Sequence, residues 1–215
     1  MKIGLFGASG LIAQELSSYF ESLGHEVVGF SSQSHCKTPF NQYSDLGQHK
    51  DLEVLINLIG GHSKNNLLSD FARAGKIDDL GCEWSMLNDK PYVYLSSGSV
   101  FGTDLSSPIR NDYMPTLVKG LDPYAQSKLI AEQKHSTLRS LGGKVHDLRI
   151  FSYAGPKFIQ LGNYFLSGLL HAAMDKRVFK VEGPDFLRDY VGSSEVAQAV
   201  FSSIRSNEGL TANLH

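Results

Sequence analysis

Cysteine is scarce in this chain, long apolar runs are missing, and neither sign of charge dominates. Only Cys36 and Cys82 occur among 215 residues, far apart and in segments of different kind. A reduced, cytoplasmic setting is therefore expected, with Cys36 a loop thiol and Cys82 a buried helix residue. The formal net charge is −2 and no basic run occurs. Neither nucleic acid nor an anionic membrane is therefore expected as a partner. No apolar stretch approaches bilayer-spanning length. The eight histidines are scattered without His-x3-His or a zinc-type spacing, so no metal site is expected. Met1-Lys2 leads at once into a strand-like run and a glycine turn, unlike a secretory leader.

What is present is a regular alternation of strand and helix signals. Lys2 to Gly7 is a short apolar run that stops at glycine. A helical pattern follows (Leu11, Leu16, Tyr19, Phe20, Leu23) and ends at Gly24, and His25 to Phe30 is a second strand. That succession has the size of one βαβ unit. Leu52 to Ile59 is nearly all apolar, as a parallel strand covered on both faces must be. Helical patterning runs through 64–88, with a break expected near Gly75 or Gly81. A strand at 91–97, a long helix at 122–142 and a strand from Val145 to Phe151 complete a doubly wound parallel α/β sheet of Rossmann type. Beyond 151 the spacing predicts a helix over 163–176, a short strand at Val178–Val181 and a last helix from Ser194 to Ile204. The expected division is a dinucleotide-binding unit, 1–151, and a small lobe with its return helix, 152–215, integrated in one body.

The first glycine turn has the form Gly-x2-Gly-x2-Ala. Gly7 lets the backbone leave the strand sharply. Gly10 removes a side chain that would keep a diphosphate away from the N–H groups of the helix start. Ala13 is small enough for close helix–strand packing. At the end of the second strand an acidic residue would bind a ribose 2′-OH and repel a 2′-phosphate. The sequence has Gly29-Phe30-Ser31-Ser32-Gln33 there instead. Ser31 and Ser32, with His35 or Lys37 nearby, lean the reading from NAD toward NADP, although no Arg offers a bidentate contact.

Tyr124 and Lys128 stand four residues apart on the long helix, hence on one face. A tyrosine of pKa about 10 is no base at neutral pH, and lowering it three units takes about 4 kcal/mol. An ammonium one turn away in a dry site is a source of that stabilisation. Ser97 closes an apolar strand at its carboxyl end, where open α/β sheets put their chemistry, and would hold the substrate oxygen. Tyr-x3-Lys alone carries little weight in a chain with nine tyrosines. The order of glycine turn, strand ending at Asn57, strand ending at Ser97 and helix headed by Tyr124 carries more.

In that order the chain resembles the extended short-chain dehydrogenase/reductase family of nucleotide-sugar epimerases, dehydratases and ketoreductases. Gly7-Ala8-Ser9-Gly10-Leu11-Ile12-Ala13 looks like the family's cofactor turn, which implies cofactor contacts at Gly7, Ser9, Gly10, Leu11 and Ile12. The segment Val54 to Gly60 resembles the strand beside the cofactor, implying Asn57 and Leu58 as contacts, with Tyr124 and Lys128. Tyr94 to Gly102 is similar to Ser-Ser-x-x-Val-Tyr-Gly, which assigns the catalytic hydroxyl to Ser97 beside the Tyr124/Lys128 pair. Leu148-Arg149-Ile150-Phe151 and Gly155-Pro156 look like the passage to the substrate lobe. Arg188-Asp189-Tyr190-Val191 resembles the return segment whose Arg binds a substrate diphosphate. The substrate contacts so implied are Ser97, Ser99, Ser152, Asn163 and Arg188. Gly98 and Ser99 stand where a 4,6-dehydratase carries an Asp-Glu pair, which disfavours that reaction. Ser152 stands where many members have Asn, and the members usually continue well past His215, implying a shortened lobe. The resemblance implies a nucleotide-sugar 4-ketoreductase or epimerase using NADP or NAD, dimeric through the helices at 64–88 and 122–142. A non-catalytic cofactor sensor or scaffold on the same fold is the rival class.

Overall fold

The architecture comes from a computed structural model that describes residues 1–32, 40–60, 67–102, 109–111, 113, 115, 121–159, 164–181 and 189–215. Strands β1 (Lys2–Phe6), β2 (Glu26–Phe30), β3 (Val54–Asn57), β4 (Tyr92–Ser97), β5 (Val145–Ile150) and β6 (Thr211–Leu214) form one sheet. Its order is β2-β1-β3-β4-β5-β6 and every pairing is parallel. Helices α1 (Leu11–Ser22), α2 (Leu67–Asn88), α3 (Pro123–Ser140), α4 (Pro156–Ile159), α5 (Phe165–Met174) and α6 (Ser193–Ile204) connect and cover it.

Strand side chains alternate between faces, so each strand supplies two cores. Ile3, Leu5, Val54, Ile56, Val93, Leu95 and Leu148 meet α1 and α6 through Leu16, Phe20, Val196 and Val200. Phe6, Leu55, Tyr92, Tyr94 and Val145 meet α2 and α3 through Ile77, Trp84 and Ala131 on the other face. Strand order reverses between β1 and β3, and α/β sheets bind ligands above such a point. The glycine turn after β1 opens there, with Gly7 at φ +75°.

Three expectations are corrected. First, α2 runs unbroken through Gly75 and Gly81. A Cβ on Gly81 would overlap the Tyr92 ring, so this glycine serves close helix–strand approach, which outweighs its low helix propensity. Second, Val178 to Val181 forms no strand, and these residues find no partner edge among the described residues. Third, the sheet gains β6, a short half-buried edge strand beside β5 that sequence periodicity does not reveal. Thus α6, packed on α1, and β6 both return from the lobe to the sheet.

Candidate active site

Tyr124 is placed by the start of α3. The Asp122 carboxylate caps the helix by accepting from the Ala125 N–H at 2.8 Å, and Pro123 occupies the first turn, where its missing N–H costs nothing. The following residue, Tyr124, lines the same cleft as Ser97 at the end of β4, and the Ser97 side chain favours its phenolate. Ser97 also accepts from the Ser99 N–H at 3.2 Å and the Ser99 hydroxyl at 3.0 Å, which fixes its rotamer. Gly98 has to be a glycine, because a Cβ would run into the Phe151 ring within 2.9 Å of several atoms.

Lys128, one turn along, is buried. Its Nζ donates to the carbonyls of Leu95 (2.7 Å) and Ile59 (3.0 Å) and lies 4.2 Å over the Tyr94 ring. Burial pulls this ammonium down to about 8, against the opposing pull of Asp78, Glu132 and Asp147. The Tyr124 phenol is pushed up, since burial outweighs the Ser97 hydrogen bond. The ammonium is tied to two backbone carbonyls and lies 5.8 Å from the Tyr124 ring centre.

These groups line a cleft of about 430 Å³. Its floor is Gly10, Leu11, Ile12 and Ala13 with Leu58 and Gly60. Ser96, Ser97, Tyr124 and Lys128 form one wall, and Phe151, Ser152, Tyr153, Tyr164, Phe165, Leu166 and Tyr190 the other. Among the expected contacts, Gly10, Leu11, Ile12, Leu58, Ser97, Tyr124, Lys128 and Ser152 share this cleft. Gly7 shapes the turn beneath it. Ser9 accepts a 2.9 Å bond from the Ser31 hydroxyl.

Several expected contacts lie elsewhere. Ser31 is buried with its hydroxyl turned to Ser9, not presented to a 2′-phosphate, and only Ser32 is exposed. Asn57 is fully buried behind the floor. Its amide donates to the Tyr92 hydroxyl (2.7 Å) and accepts from the Ile59 N–H (2.9 Å), so it braces the turn. Ser99 acts on Ser97 and does not line the cleft. Gln33, His35, Cys36, Lys37, Asn163 and Arg188 lie outside the described residues.

A dinucleotide fits these residues on one structural observation. The first turn of α1 has Gly10 as its N-cap with no side-chain cap, and no acidic residue. Its orphan N–H groups therefore face the cleft as an anion seat. Two cleft residues escaped the sequence reading. Tyr190 lines the second wall, and its buried hydroxyl has no hydrogen-bond partner among the described residues. Tyr153 lines the same wall and bonds to Glu15. The signal available for Glu15 was a carboxylate among the inward positions Ala13, Leu16 and Phe20 of α1.

Parallel strand order, switch point and glycine turn define a Rossmann-type α/β protein. The chain belongs to the NAD dependent epimerase/dehydratase family, whose model matches residues 3–213. Its fold is similar to that of a UDP-N-acetylglucosamine 4-epimerase from Bacillus cereus (17% identity, TM-score 0.78), over 99% of this chain and 76% of that one. A UDP-N-acetylglucosamine 4-epimerase from Methanobrevibacter ruminantium, solved with UDP-N-acetylmuramic acid, matches at 18% identity and TM-score 0.76, over 99% and 76%. A UDP-glucuronic acid 4-epimerase from Bacillus cereus, solved with NAD, matches at 19% and 0.72, over 100% and 78%. No curated protein matches the chain.

Proposed function

We propose that the protein is an NAD(P)-dependent oxidoreductase acting at a carbinol or keto carbon of a nucleotide-linked sugar, as a 4-ketoreductase or an epimerase. The observation that carries this is that Ser97, Tyr124 and Lys128 line one cleft with the uncapped start of α1. Similarity in fold to proteins solved with NAD and with UDP-sugars supports the ligand classes, and the family's description supports the cofactor. Similarity in fold to a protein solved with NAD, with the family's description, favours NAD over NADP.

In this reading the N–H groups of Leu11 and Ile12 seat the cofactor diphosphate. The bound nicotinamide supplies hydride exchange with the sugar carbon. Ser97 donates to the sugar oxygen and keeps it in line with Tyr124. The phenol, held protonated by burial, gives its proton to a ketone oxygen as that oxygen becomes an alcohol. In the reverse direction the Tyr124 phenolate oxygen takes that proton from the alcohol. Lys128, locked on two carbonyls, holds its charge at a constant place one helical turn from the phenol. Ser152 and Tyr190 offer hydroxyls to the sugar from the opposite wall. Asn163 and Arg188 complete the proposed substrate contacts, the guanidinium fork matching phosphate oxygens.

The test is Tyr124→Phe. NADH and NADPH titrations precede turnover assays on a panel of UDP- and dTDP-linked sugars and 4-keto sugars. The variant is expected to lose at least about 10²-fold in kcat, the scale of lost general acid–base catalysis, with cofactor affinity retained. Cofactor binding without turnover in wild type would favour the sensor reading, and equal turnover by the variant would remove Tyr124 from the chemistry.

A further inference from the structure

Glu15 is a buried carboxylate on α1 that no lysine or arginine reaches among the described residues. Its charge is met by three donors instead. The Tyr153 hydroxyl binds Oε2 at 2.5 Å, the Lys157 N–H binds Oε1 at 2.6 Å, and the Ser193 hydroxyl binds Oε2 at 3.2 Å. The single Ser193 hydrogen is shared between Oε2 and the Tyr153 oxygen 2.7 Å away, so Ser193 meets the carboxylate directly or through Tyr153. Room for the carboxylate depends on Gly155, since a Cβ there would overlap it.

The origin of these donors matters. Tyr153 and Lys157 lie on the segment that leaves β5 for α4 and α5. Ser193 begins the helix by which the chain comes back. The two segments also pair with each other, Tyr153 opposite Val191, with Ala154 N–H donating to the Val191 carbonyl at 2.9 Å and Val191 N–H to that of Ser152 at 3.0 Å. A single side chain thus ties both crossings between sheet and lobe to the helix that begins at the glycine turn. Next to it, Gln14 donates to the Ser9 carbonyl (2.9 Å) and accepts from Lys157 Nζ (2.8 Å), which links the turn itself to α4.

Packing alone does not call for a charge here. An apolar residue at this inward position would cover the same surface without the desolvation cost of a carboxylate. Directional bonds to an ionised acceptor add geometry that apolar contact lacks. The chain also spans only 76% of its structural neighbour's length.

We propose that Glu15 is a positioning residue, which holds the lobe wall of the cleft in register with the cofactor turn although it does not itself line the cleft. The proposal rests on the reading of the cleft as a dinucleotide and sugar site. Seating a dinucleotide on the start of α1 then rigidifies the lobe wall through Glu15, and loss of the carboxylate uncouples the two.

Hydrogen–deuterium exchange on the full chain, with and without NAD, tests this. In wild type, NAD is expected to slow amide exchange across 153–157 and 191–193 by roughly fivefold or more, a usual size for coupled sites. In Glu15→Gln that slowing is lost while NAD affinity stays within about twofold, because the N–H groups of the α1 start are untouched. Tyr153→Phe, which keeps the ring and removes one donor, gives an intermediate loss and serves if Glu15→Gln does not fold. A merely structural role would lower the melting temperature of both variants and leave the NAD-linked slowing intact, which would overturn the proposal. NAD binding to wild type with no change at these segments would also overturn it. Failure of wild type to bind NAD would instead overturn the reading of the cleft, and the positioning role with it.

Discussion

His146 lies wholly inside β5, and neither ring nitrogen has a hydrogen-bond partner among the described residues. Burial therefore pulls it down to about 4, with Arg139 adding to the shift and Asp147 opposing it. Between pH 6.5 and 4 the unfolded chain binds a proton here that the folded chain refuses, so stability falls as pH falls through that window. The loss approaches about 3 kcal/mol for the full shift. His146→Leu is expected to remove this slope and, by deleting orphaned polar atoms, to add about 1–3 kcal/mol at neutral pH. Urea midpoints at pH 7 and pH 5 check both statements; a variant whose midpoint drops in parallel with wild type would refute them. Residue-scale chemistry at the cleft follows the same rule of environment over intrinsic character. The pairing of Tyr124 with Lys128 was suggested by the order of motifs along the chain, but the direction in which burial moves the phenol was not legible there. It depends on how far the tertiary packing buries the ring, which outweighs the neighbouring Ser97.

Helix α3 shows what an element adds. Its inward face carries Tyr124, Lys128, Glu132, His135 and Arg139 at intervals of three and four, where an apolar stripe is the norm. Each is answered from the sheet or from α2. Glu132 accepts from fully buried Arg149, from Nε at 3.0 Å and from Nη2 at 2.7 Å, and from Ser96 at 2.5 Å. His135 stands between Asp147 (2.6 Å) and Asp78 (3.2 Å), and Arg139 reaches Asp147 at 2.7 Å. Glu132→Ala would strand the Arg149 guanidinium in the core, at a cost of about 3–5 kcal/mol. The paired change Glu132→Leu with Arg149→Met should recover most of that. Denaturant midpoints of the single and double variants measure it, and equal losses in both would show that the ion pair is not the source.

At the scale of the whole molecule, α2 and α3 leave Leu87, Met86 and Ile130 exposed, at 78%, 40% and 57%. The family resemblance predicts that a second copy covers them, meeting α2 and α3 about a two-fold axis. Sedimentation equilibrium should report a dimer at micromolar concentration. Ile130→Glu should weaken it at least tenfold, or about 1.4 kcal/mol, without altering the melting of the monomer. A monomeric wild type would refute this arrangement.

Alternating apolar segments and glycine stops determined the parallel Rossmann-type sheet, because strand and helix periods are local properties of the chain. The glycine turn was legible for the same reason, while the proposed Ser97, Tyr124 and Lys128 site came from the order of motifs and the family resemblance. Which glycine breaks a helix was not: Gly81 lies inside α2 and leaves room for the Tyr92 ring of another element. Nor was β6, whose short half-buried edge is defined only by β5. Glu15 is the sharpest case. In sequence it is an acid on a helix, and only the tertiary structure brings Tyr153, Lys157 and Ser193 to it from far along the chain, because its charge is met by donors that folding alone assembles.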